Sequence, residues 1–172
     1  WIKEVIEEKL KDLINLKNNK VKSAKVRALC FQLFENNGVL KREKVNNFIK
    51  EFSTEDKAEA RKLGIKIGRY HIYLPRMLKP AAVDLRIKLW KNFYNISNKT
   101  EPPKSGLNFV IDKNKNIKEF LLICGFENFG NFFVRIDILE RLFLKVMEKT
   151  KNNNFEMSSE MMNLVGCNKE NL

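Results

Sequence analysis

The sequence predicts a mainly α-helical protein with short β segments, a helical bundle followed by a small α+β unit of helix-turn-helix or winged-helix type. Three observations lead there. Apolar residues recur at spacings of three and four over most of the chain, the period of an amphipathic helix. Period-two alternation is confined to short stretches, chiefly residues 65–74. A polar segment at 97–105, with Pro102 and Pro103 inside it, divides the chain. In 172 residues, 44% hydrophobic and 10% aromatic content suffices for a packed core. The expected organisation is a helical accessory domain over 1–96 with a short basic hairpin near 65–74, a linker at 97–105, and an α+β unit over 106–172 truncated at its end.

In the first helix, Ile2, Val5, Ile6, Leu10, Leu13 and Ile14 make the apolar face, Glu and Lys residues fill the gaps, and Asn18-Asn19 breaks the pattern. The second carries Val26, Leu29, Cys30, Leu33 and Phe34 as one stripe, and Gly38 supplies a left-handed stop. Residues 41–52 predict a third helix through Val45, Phe48, Ile49 and Phe52. Ser53 then caps a fresh one, with Glu55 and Asp56 in its first turn and Gly64 at its end. Alternation over 65–68 and 71–74 predicts two short strands closed by Pro75, with Ile65, Ile67, Ile72 and Leu74 inward and Lys66, Arg69 and Tyr73 outward. Pro80 opens a helix over 81–94 whose apolar residues nearly encircle it, so it should be the most buried in the chain.

Beyond the linker, the pattern predicts a strand at 107–111, a turn at 112–116, and a helix at 117–124 stopped by Gly125. A strand near 132–134 and a long helix over 136–149 follow. A polar tether at 151–154 leads to a short helix at 160–165 ended by Gly166. Residues 168–170 resemble the cap of a helix whose body is missing. Together with a first residue other than Met, this reads as a piece of a longer protein.

The formal net charge is +12, and its distribution carries the functional reading. Residues 61–95 hold nine cations against Asp84 alone, so two thirds of the surplus lies in about one fifth of the chain. Tyr70, His71, Tyr73 and Trp90 are interleaved with those cations. Rings that stack on bases, alternating with cations that neutralise phosphates, are the equipment of a single-strand binding groove. The candidate nucleic-acid-binding residues are Lys22, Lys25, Arg61, Lys62, Lys66, Arg69, Tyr73, Arg76 and Lys79. Lys22 and Lys25 belong to the set because they lie one turn before the buried stripe of the second helix, along nearly the same meridian. The structural alternative makes the rings core and the cations a solvated rim.

Several classes are disfavoured. Cys30, Cys124 and Cys167 form no C-x-x-C pair, and the only histidine, His71, is remote from them in sequence and from any arranged nucleophile. Reduced thiols and no metal are therefore expected. No G-x-x-x-x-G-K-[ST] phosphate loop and no DExH or DExD box occurs. No apolar run approaches the roughly 18 residues of a membrane span, and the start lacks the core of a signal peptide. A cytoplasmic chain is expected.

The run ARKLGIKIGRYHIYLPRMLKPAA at 60–82 closely resembles a segment in the C-terminal part of alphaproteobacterial superfamily II helicases, relatives of the RNA helicase of the mitochondrial degradosome. ALCFQLFENNGVL at 28–40, FVRIDILERL at 133–142 and MMNLVGCN at 161–168 resemble the same family in the same order. The resemblance implies two RecA-like motor domains upstream, with ATP and Mg bound between them, and a helical accessory region here that holds no cofactor of its own. It implies as partners single-stranded RNA or DNA and the motor domains of the same chain. The alternative to strand binding is a protein interaction module whose basic surface docks an acidic partner, such as an exoribonuclease or the motor itself.

Overall fold

The computed structural model describes residues 1–18, 20–96, 102–111, 118–130, 132–150 and 157–166. It is mainly helical, with two small three-stranded antiparallel sheets. The chain divides into two compact units, Trp1–Ser97 and Asn98–Leu172. The expected turn at 112–116, the tether at 151–154, the cap at 168–170 and most of the linker at 97–105 lie outside the described residues.

In the first unit, the helix expected over the first eighteen residues is two: α1 (Ile2–Lys9) and α2 (Lys11–Asn18), parted at Leu10, whose φ of −107° and ψ of 18° leave the helical region. The break lets Leu10, Leu13 and Leu16 enter the core together, while α1 buries no residue fully. Helix α3 (Ala24–Glu35) is capped by the Ser23 hydroxyl, which accepts the N–H of Val26, and buries Val26, Leu29, Cys30 and Leu33. It stops where Asn37 and Gly38 take positive φ, and the Gly38 N–H donates to Leu33 O at 2.7 Å. Only glycine fits at residue 38, because a Cβ there would meet Met77 Cγ at 2.9 Å.

The helix expected over 41–52 begins five residues later. Val39–Lys41 forms β1, a 3-10 turn covers Arg42–Val45, and α4 is only Asn46–Lys50. Sheet pairing claims the first residues: Val39, Leu40 and Lys41 face Tyr73, Ile72 and His71, and the Arg42 N–H donates to Tyr70 O. Helix α5 (Thr54–Lys62) starts at the expected Ser53, whose hydroxyl accepts the Asp56 N–H while the Asp56 carboxylate accepts the Ser53 N–H. Gly64 follows it at φ +78°.

The two strands at 66–73 are present as β2 (Lys66–Ile67) and β3 (His71–Tyr73). The sheet order is β1-β3-β2, so β3 is central, and all three of its residues are buried, so both its faces are covered. This corrects the alternation: Ile72 and Leu74 are buried as expected, but Tyr73, expected outward, is 1% exposed, and His71 is buried too. A second correction concerns α6 (Pro80–Phe93). Its first half buries Ala82, Val83, Arg86 and Ile87, but Leu89 and Tyr94 are exposed and Phe93 is 79% exposed. Trp90, Phe93 and Tyr94 cover one another, with ring centroids 5.7 and 5.0 Å apart around Tyr94. Helix α3, with Val26, Leu29 and Leu33 wholly enclosed, is the more deeply buried element.

The second unit runs β4 (Phe109–Ile111), α7 (Lys118–Ile123), β5 (Phe126–Phe129), β6 (Phe132–Arg135), α8 (Ile136–Lys149) and α9 (Ser159–Val165). Its sheet order is β4-β6-β5, and Phe120, Phe126, Phe133, Ile136, Ile138 and Met161 are buried. Strand β5 escaped the sequence reading because Glu127 and Asn128 interrupt its apolar pattern, although Glu127 is buried. A helix-turn-helix joins two helices by a turn of about three or four residues. Here α7 leads into a strand, and α8 and α9 are separated by residues 150–158.

Candidate nucleic-acid interface

Between α4, α5 and β2 of the first unit lies an open groove of about 680 Å³. Arg42, Lys50, Lys57, Arg61 and Lys66 line it over a floor of Ile49, Ile65 and Ile67, and none of the lining residues is acidic. Each cation has a local reason for its place. Lys57 and Arg61 are four apart on α5 and so share a face. Such a like-charge pair costs a helix a few tenths of a kcal/mol, about 0.2–0.5 kcal/mol, and nothing in the groove offsets it. Lys66 stands on the edge strand β2, with its ammonium 5.7 Å over the ring of Tyr73, its partner in the register. Lysine on an edge also deters unwanted strand pairing, the structural alternative for this residue. Arg42 is tethered by donation to Gly68 O at 2.7 Å.

A smaller cleft of about 390 Å³ adjoins this groove at Gly64, which lines both. Lys62 and Arg76 supply its cations and Asp12 its one carboxylate, with Arg76 Nη1 3.1 Å from Asp12 Oδ1. Consecutive residues on a helix point about 100° apart, so the last turn of α5 sends Arg61 to one side of Gly64 and Lys62 to the other.

The nine candidates from the sequence therefore separate. Arg61 and Lys66 line the groove, and Lys62 and Arg76 the cleft. Arg69 and Lys79 are exposed but line neither. Lys22 is exposed, and its backbone N–H donates to Glu59 Oε1. Lys25 donates to Glu51 O at 2.9 Å and pairs with the Glu51 carboxylate at 3.5 Å, so its charge is already engaged. Tyr73 is buried and cannot stack on a base; of the hairpin rings, Tyr70 is the one that reaches solvent.

Sequence reasoning missed Arg42, Lys50 and Lys57. The four-residue spacing of Lys57 and Arg61 is the available signal, and it straddles the start of the basic stretch at residue 61. Arg86, counted with the basic surface, is instead buried.

Among the described residues no group of three or more His, Cys, Asp and Glu could hold a metal, and no helix is long and apolar enough to cross a membrane. Cys30 and Cys124 are buried free thiols, and Cys167 lies outside the described residues. Burial first, and the charge of Glu59 second, push the Cys30 thiol up to about 11, so it is not an activated nucleophile at neutral pH. Comparison with protein-family models, curated proteins and solved structures finds no match to this chain.

Proposed function

We propose that the first unit binds the phosphate backbone of single-stranded RNA or DNA in this groove, as the accessory region of an ATP-dependent helicase. In that reading ATP and Mg belong to RecA-like motor domains of the parent protein, since this chain has no phosphate loop. The observation that carries the proposal is five cations around one open groove with no carboxylate among the lining residues. A cluster of that kind, left without counter-charge in the protein, is suited to a polyanion that supplies a negative charge at every repeat. No ring is exposed in the groove, so its contacts go to phosphate and position a strand without reading its bases.

The test is a titration of labelled single strands at several salt concentrations, with the full chain and its Lys57→Ala, Arg61→Ala, Lys66→Ala triple variant. Single strands show a log-log salt slope of about −0.7 per phosphate contact, so losing three contacts should make the slope shallower by about 2. The loss should be alike for different base sequences. Wild-type affinity and slope in a folded triple variant would overturn strand binding by this groove. Docking of an acidic protein partner, such as an exoribonuclease, would then be the better account.

A further inference from the structure

We propose that the strand path does not end in the groove but crosses Gly64 into the adjoining cleft, where Lys62 and Arg76 take a further phosphate in exchange for the Asp12 carboxylate. The inference rests on the groove reading and extends it to the size and regulation of the site.

The two depressions meet at Gly64, and a Cβ built there would lie 3.9 Å from Asp12 Oδ2, so residue 64 is a low saddle with Asp12 on its far side. A cation stands on each side of that saddle, Arg61 in the groove and Lys62 in the cleft. In the free protein Arg76 is held by Asp12 at 3.1 Å, with the Arg76 side chain 68% and the Asp12 side chain 19% exposed. The guanidinium side of the pair is open to solvent, so a competing anion can reach Arg76 and exchange with the carboxylate. A phosphate can engage the guanidinium through two oxygens, where Asp12 meets it through Oδ1 alone. Asp12 thus acts as an internal substitute for a phosphate: it keeps Arg76 oriented while the cleft is empty and opposes the strand that enters it.

This arrangement predicts dependence on strand length. Oligonucleotides of about 4 and about 12 nucleotides, spanning the site sizes typical of small single-strand binding folds, would be titrated against the full chain. The Lys62→Ala, Arg76→Ala double variant should bind the short strand as the wild type does. For the long strand its salt slope should be shallower by about 1.4, two contacts at about 0.7 each. Lys62→Glu, a single change at an exposed helix end, should weaken the long strand selectively through the negative charge it adds to the cleft. Asp12→Asn should tighten the long strand by up to about fivefold, because it removes the competitor and keeps the side chain's shape.

Equal effects on both lengths, or none on either, would overturn the two-cleft path while leaving the groove in place. An Asp12→Asn variant that binds the long strand no better than the wild type would overturn the exchange. If short-strand binding does not depend on Lys57, Arg61 and Lys66, the groove reading fails, and this extension fails with it.

Discussion

Arg61 and Arg86 come from the same basic stretch of sequence, and the fold gives them opposite surroundings. Arg61 is exposed among four other cations and faces an open groove. Arg86 is 3% exposed and donates to Asn37 O at 2.7 Å and to Met77 O at 2.5 Å. Those carbonyls are free to accept because Asn37, at φ +56°, has left the helix, and Met77 sits in the 3-10 turn Pro75–Leu78. A buried guanidinium must find oxygens within the protein, so it ties together the end of α3 and the turn before α6. An exposed one keeps its hydration and remains available to a ligand. Charge sign and density along the chain do not distinguish these cases; the oxygens within reach do.

The comparison breaks most sharply at Arg86. Arg86→Ala should lower the stability of the first unit by about 3–5 kcal/mol in urea melts, since it strands two carbonyls and leaves a void. A loss below about 1 kcal/mol would mean that water replaces the guanidinium, and would move Arg86 to the solvated class.

A smaller effect is expected at the start of α5, the helix that carries Lys57 and Arg61. Ser53→Ala should cost about 1 kcal/mol by removing the cap hydroxyl. The same corner has an acid limb. The Ser23 hydroxyl first, and the Ser53 N–H next, hold the Asp56 carboxyl below the usual carboxylate range. A carboxyl lowered in the folded state stabilises the fold above its unfolded pKa, and that contribution fades as pH falls through the lower folded value. Stability measured from neutral pH down through the carboxylate range should fall for the wild type and be flatter for Asp56→Asn. Parallel curves would detach Asp56 from the cap.

The smallest effect sharpens the contrast from the other side. Lys57→Ala should leave stability within about 0.5 kcal/mol or raise it by a few tenths, because it relieves the like-charge pair with Arg61. A loss above about 1 kcal/mol in the same melts would make Lys57 structural, as Arg86 is.

Local patterns carried much of this fold. Helix α8 runs over 136–149 as its apolar stripe requires, Ser53 caps α5, and Gly38, Gly64 and Gly166 take the positive φ that ends a helix. These features were legible because each depends on residues within one or two turns. The candidate site was legible only in part. Arg61 and Lys66 lie in the basic stretch of sequence, whereas Arg42 and Lys50 reach the same groove from other elements and Lys57 from the preceding turn of α5.

What the sequence by itself determined was the kind of element at most positions, the excess of positive charge, and the lack of an ATPase motif. Tertiary structure alone decided which faces are covered. Tyr73 is buried on a central strand between Val39 of β1 and Lys66 of β2, and nothing near residue 73 in the chain announces Val39 as its neighbour. The far end of α6 is exposed although its residues are as apolar as those of the buried end. Hydrophobic burial follows the area removed from water by whatever neighbour arrives, and that neighbour is a property of the folded chain, not of the segment.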